Sequence, residues 1–183
     1  MMESALREDL MTVEEFLDWH PEGEKWELVG GIPWQMMSEG NLHERVKSNV
    51  HVAVGKRMLP PSSCQAAVDG RQVRIDATTS YRPDVSTDCA PSSDPMLALI
   101  EKPTVVFEVG VTTLIRDKME KRANYFLNPD VEHVVVVDAN ARTVHRFRRG
   151  SAREDVLRVG DTLALDGAVT LDVPVAEFFH FLT

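Results

Sequence analysis

Apolar and polar positions along the chain separate into patterns of two kinds, one with the period of a helix and one with that of a strand. Thr12 followed by Glu15 and then Phe16-Leu17 has the spacing of a capping box that opens a short helix, which Pro21 and Gly23 end. Lys25–Val29 and Ile32–Met37 flank Gly30-Gly31, and two glycines between apolar runs predict a hairpin, because primed turns need positive φ. Leu42, Val46, Val50, Ala53 and Val54 fall on one face of a helix over Leu42–Leu59, which Pro60-Pro61 stops. Short strands are predicted near Cys64–Val68, Gln72–Ile75 and Asp84–Thr87, followed by a Ser- and Pro-rich loop over 88–101.

The second half begins with a buried-type strand over Thr104–Val109, an amphipathic helix over Ile115–Leu127 and another apolar strand over His133–Val137. That order predicts a parallel crossover. Thr143–Arg148 returns as a hairpin partner after the turn at Asp138–Arg142. Weak strands near Val156–Val159 and Thr162–Leu165 precede a terminal helix over Val175–Leu182. No repeat or long linker divides the chain, so the pattern predicts one α/β domain over residues 1–183.

Composition narrows the class without naming it. The 183 residues are 43% hydrophobic and 27% charged, an ordinary globular mixture that excludes fibrous and wholly disordered readings. No apolar run approaches the roughly 20 residues of a membrane span. The acidic start lacks the apolar core of a secretory signal, and residues 1–11 are expected to be a flexible acidic segment. Cys64 and Cys89 are far apart and outside any C-x-x-C pair, so neither a disulfide nor a cysteine zinc site is expected, and the cytoplasm is the default location. The net charge of −9 speaks against nucleic acid until its distribution is considered. Residues 1–24 carry −7 of it, leaving a nearly neutral body that has room for basic patches.

Chemistry enters where a residue breaks the pattern. Glu108 interrupts Val105-Val106-Phe107-Glu108-Val109, where an isolated carboxylate costs several kcal/mol unless paired, protonated or bound to a metal. An ion pair or an exposed strand end is the plain alternative. Asp84, in Arg82-Pro83-Asp84-Val85, stands at a strand start, where turn chemistry also places aspartate. Glu27 in Trp26-Glu27-Leu28-Val29 can simply face solvent from an alternating strand, and Lys121 can pair with Asp117 one turn earlier on its helix. His43-Glu44 begins like a zincin motif, but Lys47 stands where the second histidine belongs. Arg142, His145, Arg146, Arg148, Arg149 and Arg153 form a basic cluster, either a solvated face or a phosphate contact. The Phe178-Phe179-His180-Phe181 segment is read as a helix docking on the core rather than a partner surface. Two carboxylates on successive strands with a lysine nearby are the set that metal-dependent phosphodiester cleavage requires.

At these residues the chain resembles the Uma-two family of restriction-endonuclease-like proteins, within the PD-(D/E)XK nuclease superfamily. The matching pieces are Thr12–Phe16, Trp26–Gly31, His43, Arg82–Val85, Val106–Val109 and Asp117-x-x-x-Lys121-x-x-x-Tyr125. The resemblance implies an α/β (α+β) restriction-endonuclease-like core: a mixed central sheet flanked by helices, with an N-terminal helix and β-hairpin. It implies a bacterial Mg²⁺-dependent DNA endonuclease, with Mn²⁺ as a substitute. Asp84 and Glu108 would hold the metal, Lys121 would polarise the phosphate or water, and Glu27 would join the acidic cluster. The superfamily lysine two residues after the glutamate is here Gly110, and the Gly110–Leu114 loop lacks the family's Ser-Pro. Arg146, Arg148, Arg149 and Lys118 are the expected DNA contacts, a homodimer the favoured assembly, and no membrane partner is expected. The rival readings are a nuclease-fold protein that binds nucleic acid or protein without cutting, and an interaction module.

Overall fold

The computed structural model describes residues 10–19, 24–58, 62–94, 96–100, 102–111 and 120–181. The capping box forms as its spacing predicts. The Thr12 N–H donates to Glu15 Oε2 at 2.8 Å, and the Glu15 N–H to Thr12 Oγ1 at 3.2 Å, opening α1 (Val13–Trp19). The hairpin of β1 (Trp26–Val29) and β2 (Ile32–Gln35) turns at Gly30 and Gly31, with φ of +57° and +81°. Gly31 has a second constraint, because a Cβ there would come within 2.7 Å of Leu10 Cβ. The Met11 N–H donates to the Gly31 carbonyl at 2.9 Å, so the end of the segment expected to be loose is tied to this turn.

The long helix α2 (Asn41–Gly55) starts one residue before the predicted boundary and ends at Gly55, ahead of the prolines. Its Val46, Val50, Ala53 and Val54 are buried as the periodicity predicts. They pack on one face of a six-stranded sheet, whose order is β10-β9-β8-β7-β6-β3. The strands are β3 (Gln65–Val68), β6 (Val85–Asp88), β7 (Pro103–Gly110), β8 (His133–Asp138), β9 (Thr143–Arg148) and β10 (Glu154–Arg158). Only β7 and β8 pair in parallel, the others being antiparallel. Strands β4 (Val73–Arg74) and β5 (Ser80–Tyr81) extend the N-terminal hairpin into a second sheet, and β11 (Thr162–Leu165) pairs with β12 (Leu171–Pro174). Strands β5 and β12 are not among those the sequence pattern predicts.

Alternation along β7 divides the core. Val105, Phe107 and Val109 face α2, while Val106 faces the opposite cluster with Tyr81, Tyr125, Val134 and Val136. Glu108 therefore projects toward the tyrosine side. Of the helix predicted over Ile115–Leu127, residues 115–119 lie outside the described set. The described part has a π-type turn at 120–121 and a short α3 (Arg122–Tyr125). The terminal helix is a 3-10 turn over Val175–Phe179 that buries Val175, Phe178 and Phe179.

The cysteines depart from expectation. Gln65 pairs with Asp88, so continuing that antiparallel register sets Cys64 opposite Cys89, and the two are bonded. Sequence distance hides this contact, because the pairing of β3 with β6 closes it. No described helix is long and apolar enough to cross a membrane.

Candidate functional site

Glu108 is buried, 4% exposed, and its partners come from two elements. The Tyr125 hydroxyl on α3 donates to Glu108 Oε1 at 2.6 Å, and Lys121 Nζ approaches the same oxygen at 3.3 Å. Lys121 Nζ also donates to Glu27 Oε1 at 2.7 Å, and that oxygen accepts the Arg82 N–H at 3.2 Å. Glu27, Glu108 and Lys121 are thus brought together from β1, β7 and the turn before α3, all nearly excluded from water. An ammonium between two carboxylates compensates charges that would otherwise each cost several kcal/mol to bury. Burial, and then the Glu108 charge, push the Tyr125 hydroxyl well above its ordinary pKa, so it stays a protonated donor. Tyr81 stacks edge-on against Tyr125 and lies 5.5 Å beneath Lys121 Nζ, while its hydroxyl accepts from Asn124 at 2.6 Å.

Asp84 approaches from the neighbouring strand in a different setting. The β6–β7 ladder pairs Val85 with Phe107, and Asp84 lies in the bend just before it. There the backbone pairing with β7 lapses, and Asp84 Oδ2 takes the Val109 N–H at 2.7 Å. A buried amide that would lack a strand partner is satisfied by a carboxylate instead. This bond sets the Asp84 carboxylate against the backbone residue next to Glu108. The antiparallel bond from the Asp69 N–H to the Asp84 carbonyl, at 3.1 Å, holds the other edge.

From α2, His43 Nε2 reaches Asp84 Oδ2 at 3.2 Å, while its Nδ1 lies 3.3 Å from Glu39 Oε2. Glu39, His43 and Asp84 each present a ligand atom within 4.8 Å of the others, a set able to hold a cation. His43 and Lys47, four residues apart, share one stripe at the start of α2, and Glu39 lies just ahead of the Gly40 N-cap. Lys47 and Lys25 each bind both Glu39 and Asp69, closing a ring of two ammonium groups and two carboxylates. Burial favours the neutral acid at Glu39, but hydrogen bonds from Lys47 and Lys25 outweigh it and hold the pKa at about 2. For His43, burial favours the neutral ring, and the bond to Asp84 with the charges of Asp84 and Glu39 reverses that direction upward.

The sequence singled out Asp84, Glu108, Glu27 and Lys121, but it gave Glu39 and Lys47 no role. His43 counted only as one matching piece, because its motif fails as a zincin. The signal available was the four-residue spacing of Glu39, His43 and Lys47, which resembles an exposed charged face until α2 is placed beside Asp84. Asp117, the alternative partner of Lys121, and Lys118 lie outside the described residues. The basic hairpin is largely occupied with its own neighbours. Arg146 binds Asp155 at 2.6 Å and the Ala164 carbonyl, and Arg149 donates to the carbonyls of Phe126, Asn128 and Val131. Arg148 pairs with Asp166 at 2.8 Å, both half exposed. An open groove of about 490 Å³ lies beside the start of α2, with Asn41, Arg45, Asn140, Arg142 and Phe181 in its walls.

The profile of the Uma2 family, described as "Putative restriction endonuclease", matches residues 13–176. The chain belongs to the Uma2 family. The matched span runs from the first residue of α1 into the terminal 3-10 turn, so it includes Glu27, Glu39, His43, Asp84, Glu108, Lys121 and Tyr125. Among solved structures, the Uma2 chain is similar to a "putative nuclease belonging to DUF820" from Anabaena variabilis. The two share 15% identity with a TM-score of 0.74, over 94% of this chain and 99% of that one. At that identity the likeness shows the fold, a mixed α+β architecture of the nuclease type. No curated protein matches the chain.

Proposed function

We propose that this Uma2 protein is a divalent-metal-dependent DNA endonuclease that hydrolyses phosphodiester bonds. The observation that carries the reading is the convergence of Glu27, Glu108 and Lys121 from three separate elements, with the Asp84 carboxylate bound to the N–H of Val109, the residue after Glu108. Family membership supports it, and so does the kind of donor offered. Carboxylate oxygens are hard ligands of the type Mg²⁺ and Mn²⁺ take, and Asp84 and Glu108 are the residues that would hold the ion.

A bound divalent cation supplies positive charge to the scissile phosphate and lowers the pKa of coordinated water. The chain's own residues do the rest. Tyr125 and Lys121 both engage Glu108 Oε1, which fixes the orientation of that carboxylate. Glu27 draws Lys121 from the opposite side, so the ammonium is held between two anions. In this reading it orients the attacking water or a phosphate oxygen and offsets charge that develops in the transition state. Lys121 thus supplies from the helical segment the cation that Gly110 cannot supply from the strand. Arg45 and Arg142 in the groove, with Arg148 of the late hairpin, are the arginines best placed to meet DNA phosphates. Contacts from Arg146 and Arg149 would first have to break their internal bonds.

Duplex and single-stranded DNA should be cut by the purified protein in Mg²⁺ or Mn²⁺ and spared in chelator. Asp84→Asn and Glu108→Gln should each lower the rate on the order of a hundredfold or more. If neither DNA form is cut with either metal, or if both variants match the wild type, the endonuclease reading is lost.

A further inference from the structure

The endonuclease reading leaves His43 and Glu39 without a task, yet they stand against one of its two proposed metal carboxylates. His43 Nε2 is 3.2 Å from Asp84 Oδ2. Two ligands side by side on a cation with bonds of about 2.1 Å are separated by about 3 Å, so this spacing suits shared coordination as well as a hydrogen bond. The other ring nitrogen, Nδ1, is buried and makes no well-aligned hydrogen bond, and Glu39 Oε2 lies 3.3 Å from it. A metal-bound histidine ordinarily gives its far N–H to a carboxylate, which fixes the tautomer and the ring plane. Glu39 is positioned for that outer role, while its bonds to Lys25 and Lys47 restrain it from becoming a ligand itself. The chain Lys47–Glu39–His43–Asp84 therefore has an order: a cation that pins an acid, the acid behind an imidazole, and the imidazole beside a metal carboxylate.

We propose that His43 is a ligand of the divalent cation, backed by Glu39, so that the centre holds one imidazole with Asp84 and Glu108. The inference rests on the endonuclease reading for the presence of the cation, and it names which cation the site prefers. Imidazole adds little affinity for Mg²⁺, which favours oxygen and retains its water, and more for Mn²⁺ and the metals after it in the first row. The site should accordingly prefer Mn²⁺ to Mg²⁺ by a margin that depends on His43.

The test is Mn²⁺ binding to the full chain, followed by electron paramagnetic resonance and pulsed detection of nitrogen coupled to the manganese. The wild type should show imidazole nitrogen coupling that His43→Gln and His43→Ala both lose, with folding checked by circular dichroism. Both variants should weaken Mn²⁺ about tenfold or more and Mg²⁺ by twofold or less, so the preference collapses. Manganese that binds through Asp84 and Glu108 without histidine nitrogen coupling would overturn the ligand assignment and leave the endonuclease reading standing. Equal losses for the two metals would likewise reduce His43 to a hydrogen-bond partner of Asp84. Manganese binding that Asp84→Asn and Glu108→Gln do not affect would remove the proposed metal site itself, and this inference with it.

Discussion

Asp84 and Glu108 stand on paired strands, yet their carboxylates are embedded in opposite ways. Glu108 lies on the tyrosine side of the sheet, where an ammonium and a phenol hold a single oxygen and Glu27 completes a water-excluded cluster. Asp84 takes a neutral backbone N–H and an imidazole, and the cations on its side are spent on Glu39 and Asp69. One half is thus a buried charge network, and the other a partly exposed set in which, among the described residues, the aspartate pairs with a histidine and with no lysine. The difference assigns work. A closed network gives rigidity at a cost in desolvation, whereas a carboxylate left short of positive charge is where an incoming cation gains most.

If the two halves differ in this way, removing the lysine from each should have unequal consequences. Lys121→Met leaves two buried carboxylates beside each other without their shared cation, and should destabilise the fold by about 3–5 kcal/mol. The further change Glu27→Gln in the same chain should recover part of that loss, because it removes one of the two charges that shared the ammonium. Urea unfolding measures both, with the slope checked for constancy. A loss below about 1 kcal/mol would place the network effectively in solvent and erase the contrast. Tyr125→Phe comes next, removing one donor to a buried carboxylate while keeping the ring, and should cost about 1–3 kcal/mol in the same experiment.

On the Asp84 side, Lys47→Met should cost less than Lys121→Met, about 1–2 kcal/mol, although Lys47 is itself only 5% exposed. Lys25 still reaches both Glu39 and Asp69, whose side chains keep 17% and 19% of their surface in contact with solvent. Water and the second lysine can therefore carry much of the freed charge. A Lys47→Met loss equal to that of Lys121→Met would show that the two halves are equally closed.

The same contrast explains what could be read from the residues in advance. Glu108 declared itself because a carboxylate inside a run of valines violates a strong pattern, and the Gly30-Gly31 turn and the α2 stripe were legible for the same reason. The family's ordered motifs then supplied Glu27 and Lys121, which alone read as solvent-facing. Glu39, His43 and Lys47 sit at helical spacing, where charged residues ordinarily mean solvent, and only the packing of α2 against β3 and β6 gives them a site. Cys64 and Cys89 show the same limit: cross-strand register joins them, and register is a tertiary property. The basic hairpin is the reverse case, since what reads as free charge in the sequence is partly paired in the fold. Its arginines cluster in sequence, but their geometry ties Arg146, Arg148 and Arg153 to acids from β10 and the turn after β11.

The smallest effect is expected at the far end of α2, away from both carboxylates, and it asks whether helix anchoring alone governs the Asp84 side. Arg57 meets Glu177 through a two-pronged pair, with 2.9 Å on each arm, and Lys56 adds a third contact at 2.7 Å. The Arg57 hydrogen bonds first, and then those of Lys56, hold the Glu177 pKa at about 2. A carboxyl depressed in the folded state contributes stability that is complete above its unfolded pKa of about 4.5 and disappears as pH falls toward 2. The group lies near the surface, where solvent screens most of such a shift, so Glu177→Gln should cost no more than about 1 kcal/mol at pH 7. The stability gap between wild type and variant should close steadily between about pH 4.5 and pH 2. Urea unfolding across that range measures it, and a gap that stays constant with pH would mean that the pair acts through packing rather than charge. Manganese affinity at neutral pH should be unchanged in this variant, because His43 and Lys47 lie at the opposite end of the helix. A parallel loss of metal binding would show that the position of α2, rather than His43 and Lys47 at its start with Glu39 just before them, sets the chemistry at Asp84.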